Sequence, residues 1–312
     1  MEQDFKLFAT SQARNLGQHI ASDLGIELGS LYSETFSDGE VFVRYEESVR
    51  GMVVFVVAFA SMPYGNLFEL FMAIDAARRA SAKEVICLVP YLPHSRQERK
   101  DGQRVSIASR LVADLMQQAG ANRMISIDMH ANAIEGFYNI PFDHLGMGRE
   151  FSTDISDKGL DNLCLCSPDF GGLKRIKNYK QRLDCEIAVI HKERLRPNQV
   201  SHMEIIGVVE DKNVVIIDDM VDTAGTLCKA SELIMETGAR SVRAYCTHGL
   251  LTGNAMEKIE NSPLEELVVS DTVFPLPESP KIRQLTCGRL LARAVRSLLS
   301  NQSLTAMNPE KL

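Results

Sequence analysis

Short runs of apolar, mostly β-branched residues alternate along the chain with longer stretches in which apolar positions recur every three or four residues. The runs Val53–Val57, Glu84–Val89, Met124–Met129, Glu186–Ile190, Val214–Asp218, Val242–Cys246 and Glu266–Val269 predict strands. Several are apolar throughout, as expected when both faces of a sheet are covered. The stretches Asn66–Ala80, Ser106–Gln118, Gly225–Thr237 and Gly288–Ser300 predict helices; in the first, Leu67, Leu70, Phe71 and Ile74 mark one face. The alternation of strand and helix predicts an α/β fold with mainly parallel central sheets.

One unit of this pattern recurs. The segment Gly120–His130 (GANRMISIDMH) resembles Gly238–His248 (GARSVRAYCTH), and each follows a strand, a loop and a helix. A duplicated α/β unit accounts for both, although helix–Gly–strand junctions are common. The stretch from Leu145 to Asn162 has three glycines, several Asp and Ser residues and no clear period, which reads as a linker. Two tandem domains are therefore expected, 1–147 and 148–312.

Composition narrows the class. With 45% apolar and 24% charged residues over 312 positions, the chain is neither disordered nor fibrous. A net charge of −7 gives bulk electrostatics no pull toward nucleic acid or an anionic membrane. The longest apolar run, Met52 to Ala60, is roughly half of what a bilayer span needs. The N-terminal MEQDFKLFAT shows no basic stretch followed by an apolar one, so no secretory signal is expected. Seven scattered Cys without a CxxC pair read as reduced thiols in a cytoplasmic protein.

The strongest chemical signal is Val214–Thr226 (VVIIDDMVDTAGT), which leads into a predicted helix. Asp218 and Asp219 fall at the C-terminal end of an apolar strand, where open α/β sheets bind ligands. Asp222, Thr223, Ala224, Gly225 and Thr226 form a small-residue turn that offers backbone N–H groups and hydroxyls to an anion at a helix start. Two adjacent acids repel a bare phosphate. They suit sugar hydroxyls, held directly or through a bound Mg²⁺. The pattern is that of a sugar-phosphate site; a plain helix-start turn with surface acids is the bland alternative. Elsewhere, Phe36-Ser-Asp-Gly-Glu40 reads as a hairpin turn, with Val41, Val43 and Tyr45 alternating behind it. His94–Arg104 is a basic segment without large apolar side chains up to Arg104, either a solvated loop or a lid over polyphosphate.

The Asp-Asp-Met-Val-Asp-Thr-Ala-Gly-Thr stretch looks like the phosphoribosyl-diphosphate motif of type I phosphoribosyltransferase folds. In collinear order, Phe36–Glu40, Arg96-Gln97, Asp128–Ala131, Ser167–Asp169, Gly171-Gly172, Lys192 with Arg194, and Thr252–Asn254 resemble the ribose-phosphate diphosphokinase family over nearly the whole chain. The resemblance implies two tandem phosphoribosyltransferase-like domains with an active site between them, completed by a second subunit. It implies that Phe36, Asp38 and Glu40 hold adenine, that Arg96 and Gln97 contact ATP, and that Arg99 lies on a flexible catalytic loop. It assigns Lys192 and Arg194 to catalysis and Arg194 also to ribose 5-phosphate. Asp218, Asp219 and Asp222–Thr226 bind that sugar phosphate, and His130 and Asp169 serve the metal–triphosphate. The implied cofactor is Mg²⁺, the substrates are ATP and ribose 5-phosphate, and the assembly is a dimer-based homo-oligomer, up to a hexamer. Glu193 and Leu195 depart from the family's usual basic residue and proline. A phosphoribosyltransferase and a non-catalytic regulatory relative stand as alternatives.

Overall fold

The computed structural model describes residues 4–193 and 202–308, which fall into two compact units. The first gathers the chain up to Leu145 together with Thr272–Phe274 and Thr286–Asn308; the second gathers Gly146–Asp271 with Pro275–Leu285.

In the first unit the order is β1 (Phe5–Ala9), α1 (Arg14–Leu24), β2 (Leu31–Thr35), β3 (Val41–Tyr45), β4 (Val53–Val57), α2 (Tyr64–Arg79), β5 (Glu84–Leu88), α3 (Ala108–Ala119), β6 (Arg123–Ile127) and β7 (Phe142–Leu145). A parallel sheet runs β1-β4-β5-β6-β7, while β2 and β3 form a separate antiparallel hairpin. Alternate strand residues, Val54, Val56, Val85, Cys87 and Met124, pack with Leu67, Leu70 and Ile74 of α2 and Val112 and Met116 of α3. The residues between them, such as Phe55, Ile86, Leu88 and Ile125, are buried as well. Burial on both faces is why these strands read as unbroken apolar runs. Glu69 lies on the buried side of α2 and accepts hydrogen bonds from the Ser11 backbone N–H at 2.8 Å and from Ser11 Oγ at 2.7 Å.

The second unit contains α4 (Gly148–Asp157), β8 (Leu163–Ser167), α5 (Leu173–Lys180), β9 (Glu186–Glu193), β10 (His202–Ile206), β11 (Asn213–Val221), α6 (Gly225–Glu236), β12 (Ser241–Gly249), α7 (Ala255–Asn261), β13 (Glu266–Ser270) and β14 (Ile282–Leu285). Its sheet runs β10-β9-β8-β11-β12-β13-β14, parallel except for the β9–β10 pair. Cys164, Cys166, Val214, Ile216, Val242 and Cys246 form a core with Leu227, Cys228, Ala230 and Ile234 of α6, so four of the cysteines serve as small core residues of this unit. On the other face Tyr245 meets Phe151 of α4 edge-on at 5.4 Å and donates its Oη to Asp154 at 2.6 Å. The last helix, α8 (Gly288–Leu299), belongs to the first unit and packs on α1.

The stretch expected to be a linker carries α4 instead. Only Phe151, Ser152 and Ile155 of this helix are buried, so too few apolar positions were present for its period to show. The repeated segments occupy matching places: α3, Gly120 at φ +112° and β6 in one, α6, Gly238 at φ +91° and β12 in the other. Their terminal histidines differ. His130 is exposed after a bend, whereas His248 is buried within β12.

Candidate functional site

The end of β11 carries two consecutive acids that lead toward the start of α6. Val214–Ile217 are fully buried, and the strand continues through Asp218 and Asp219 to Val221. Asp218 keeps 27% of its side-chain surface and Asp219 only 8%. Arg175, from α5, reaches both, with Nη1 at 3.3 Å from Asp218 Oδ1 and Nη2 at 3.3 Å from Asp219 Oδ1. The Asp219 backbone N–H donates to Asp218 Oδ1 at 2.9 Å. Burial first, and then the neighbouring Asp219 charge, push the Asp218 carboxyl well above the usual range, against the pull of Arg175. A bound cation would relieve that cost. These oxygen donors suit a hard divalent ion. Among the described residues no three His, Cys, Asp or Glu side chains come together to hold a metal, so such an ion would draw its remaining ligands from water and phosphate.

Asp222–Thr226 then turn the chain into α6. Ala224 adopts left-handed backbone angles, φ +56° and ψ 0°, at a cost of about 1–2 kcal/mol for a residue with a Cβ. No side chain caps the start of α6, and Thr223 and Thr226 are exposed. The turn is held from the segment after β12: Thr252 Oγ1 donates to Asp222 Oδ1, the Thr252 N–H donates to the Asp222 carbonyl at 3.0 Å, and Lys258 Nζ donates to the Thr223 carbonyl at 3.0 Å.

Asp169 is exposed and closes the turn before α5: its Oδ1 accepts from the Gly172 N–H at 3.0 Å, and Ser167 Oγ donates to its carbonyl at 2.6 Å. A Cβ at Gly172 would come within 2.4 Å of Ser167 Oγ, so a side chain there would have to displace the hydroxyl that holds Asp169. Lys192 lies in β9 opposite Met203 of β10; the strand runs past Ile190, further than its apolar pattern indicated. Arg194 lies outside the described residues.

In the first unit, Phe36, Asp38 and Glu40 sit on the exposed tip of the β2–β3 hairpin. The tip is closed by Phe36 N–H to the Glu40 carbonyl at 2.8 Å, by Glu40 N–H to Asp38 Oδ1 at 3.0 Å, and by Gly39 at φ +92°. Phe36, Phe42 and Tyr32 make a chain of ring contacts at 6.2 Å along it. Arg96, Gln97 and Arg99 are exposed on the segment between β5 and α3. Arg99 is engaged with Asp101 at 2.9 Å and Glu98 at 3.7 Å. His130 follows β6, and the turn at its base is fixed by His144 of β7, whose Nε2 accepts from the Met129 N–H at 2.9 Å.

Arg175, Thr252, Lys258 and His144 escaped the sequence reading of site residues. None has a fixed linear spacing to the motif it supports. Thr252 alone lay in a stretch that bore a family resemblance.

The chain matches the N-terminal domain of ribose phosphate pyrophosphokinase over residues 5–120 and a phosphoribosyl synthetase-associated domain over residues 193–308. It is 41% identical over 308 residues to a ribose-phosphate pyrophosphokinase of Porphyromonas gingivalis, covering 98% of each chain. It is 44% identical over 307 residues to ribose-phosphate pyrophosphokinase 1 of Listeria innocua, covering 97% of this chain and 96% of the other. The crystal structure of a phosphoribosylpyrophosphate synthetase from Mycobacterium smegmatis superposes with a TM-score of 0.89 at 32% identity, covering 95% of this chain and 99% of that one.

Proposed function

The chain belongs to the ribose-phosphate pyrophosphokinase family, and we propose that it moves the β,γ-diphosphoryl group of ATP to the C1 hydroxyl of ribose 5-phosphate. The products are AMP and 5-phosphoribosyl 1-diphosphate, an activated sugar for nucleotide biosynthesis. The observation that carries this reading is the end of β11, where two consecutive acids lead into an uncapped helix start. The amides of Asp222–Thr226 receive the 5-phosphate. Asp218 and Asp219 accept hydrogen bonds from the ribose diol and hold the ring so that the C1 oxygen faces the β-phosphorus in line.

Phe36 stacks on adenine, and Asp38 and Glu40 accept from its N–H groups; Arg96 and Gln97 contact the nucleotide. Lys192, Arg194 and Arg99 neutralise charge that develops on the bridging and leaving oxygens. Arg99 first has to leave Asp101. His130 and Asp169 face the metal–triphosphate. Mg²⁺ supplies charge neutralisation on the diphosphate when bound. No side chain is assigned as general base, since positioning and charge dominate this transfer.

The exposed aromatic tip of the hairpin supports a homo-oligomer built on dimers, with a hexamer as the expected upper size. The seven cysteines are free, which suits a reducing cytoplasm, and among the described residues no helix is long and apolar enough to cross a membrane. The assay is AMP release from ATP. Strict dependence on both ribose 5-phosphate and Mg²⁺ is expected; AMP formed without the sugar, or no AMP at all, contradicts the proposal.

A further inference from the structure

We propose that Lys258, on α7, is a positioning residue for the ribose 5-phosphate site and that its charge forms part of that site. The inference rests on the reading of the β11–α6 turn as the phosphate loop.

Lys258 is half-buried and donates Nζ to the Thr223 carbonyl at 3.0 Å. The same Nζ lies 3.7 Å from where a Cβ on Gly225 would stand, which puts the ammonium beside the first residue of α6. A cation there opposes the positive end of the helix dipole. The helix start has no side-chain cap to offset it. The turn therefore gathers positive potential from two sources, and its one carboxylate, Asp222, is held by Thr252. An anion placed at the turn would be attracted both by the ammonium and by the positive helix end, and would screen the one from the other.

The contact also fixes the loop's direction. By holding the Thr223 carbonyl, Lys258 satisfies one acceptor of the turn, so that this acceptor is engaged when an anion meets the neighbouring amides. Ala224, in the left-handed region immediately after, completes the change of direction. Thr252 grips Asp222 from the same segment, so the stretch Thr252–Lys258 clamps two consecutive residues of the turn. This gives the Thr252-Gly253-Asn254 segment a physical task.

The test uses the full-length chain with Lys258→Met, Lys258→Gln and Lys258→Arg. Gln keeps a donor for the Thr223 carbonyl without the charge. Met and Gln are expected to raise KM for ribose 5-phosphate by about tenfold or more, with KM for ATP changed less than about twofold. Arg is expected to restore KM for the sugar to within a few fold. Thermal unfolding of each variant reports folding separately. A Gln variant with wild-type KM for ribose 5-phosphate overturns the proposal, as does an equal rise in both KM values. Wild-type AMP release without ribose 5-phosphate would overturn the reading of the loop itself, which separates the two failures.

Discussion

Asp218 and Asp219 are adjacent acids at the edge of a core, one partly open and one nearly closed, with a single arginine touching both. Two like charges on consecutive residues after a buried run cost free energy, which Arg175 offsets in part and a bound ligand would offset further. Replacing either with Asn removes one charged acceptor from the ribose diol. We expect kcat/KM for ribose 5-phosphate to drop by at least about a hundredfold in Asp218→Asn, with the fold intact by circular dichroism. Activity within a few fold of wild type would take Asp218 out of the site. Gly172 gives a purely steric prediction. Gly172→Ala forces a methyl to within 2.4 Å of the fully buried Ser167 Oγ, and should destabilise the chain by about 1–3 kcal/mol in urea unfolding. An unchanged midpoint would show that the turn at Asp169 relaxes freely. At this scale the acids and the small-residue turn were legible, because their order along one strand end is itself the signal. Arg175, Lys258 and His144 were not, because only the fold brings them to their partners.

The β2–β3 hairpin brings Phe36, Asp38 and Glu40 together at one exposed tip, which neither strand does alone. Its turn was legible from Asp38-Gly39 and the alternation of Val41, Val43 and Tyr45; β2, with Leu-Tyr-Ser-Glu-Thr, was not, since only its pairing with β3 makes it a strand. Phe36 is 44% exposed at the tip, where its ring is open to a ligand. Phe36→Ala should raise KM for ATP by about three- to tenfold, the worth of one aromatic contact, and leave KM for ribose 5-phosphate alone. Equal effects on both substrates would mean that the hairpin serves the fold. Lys192, on β9, is expected to act on turnover: Lys192→Ala should lower kcat by several factors of about ten with modest change in either KM. Apolar strands with both faces covered, such as β4 and β5, were read almost to the residue. The short helices α4, α5 and α7 were missed, because each buries only two or three side chains and their period drowns in polar residues.

Across the whole molecule, two mainly parallel sheets build the cores, and the candidate acids of the sugar-phosphate site lie at a strand end. The second unit also holds a charged network: Arg283 reaches Asp154 at 2.9 and 2.5 Å and Glu266 at 2.5 Å, and Lys158 meets Glu266 at 2.6 Å. Burial raises both carboxyls, but hydrogen bonds from Arg283 and Tyr245 to Asp154, and from Arg283 and Lys158 to Glu266, outweigh it and hold both below the usual range. Depressed carboxyls stabilise the fold above their ordinary pKa of about 4, and that contribution is lost as pH falls through the folded values. The urea midpoint should therefore fall between about pH 5 and pH 3, with a shallower fall in Asp154→Asn. An identical slope in that variant would remove Asp154 from the linkage. The family likeness spans both units, and the α/β fold with mainly parallel sheets was legible from the alternation of elements. The place of α8 in the first unit was not, because nothing in its amphipathic pattern says which partner its apolar face will find.

The most direct measurement is a crystal structure of the full chain grown with ribose 5-phosphate. The account predicts the 5-phosphate against the backbone amides of residues 222–226, with the 2- and 3-hydroxyls within hydrogen-bond reach of Asp218 and Asp219. A sugar phosphate bound elsewhere, or a loop that closes on its own side chains and admits none, would contradict it.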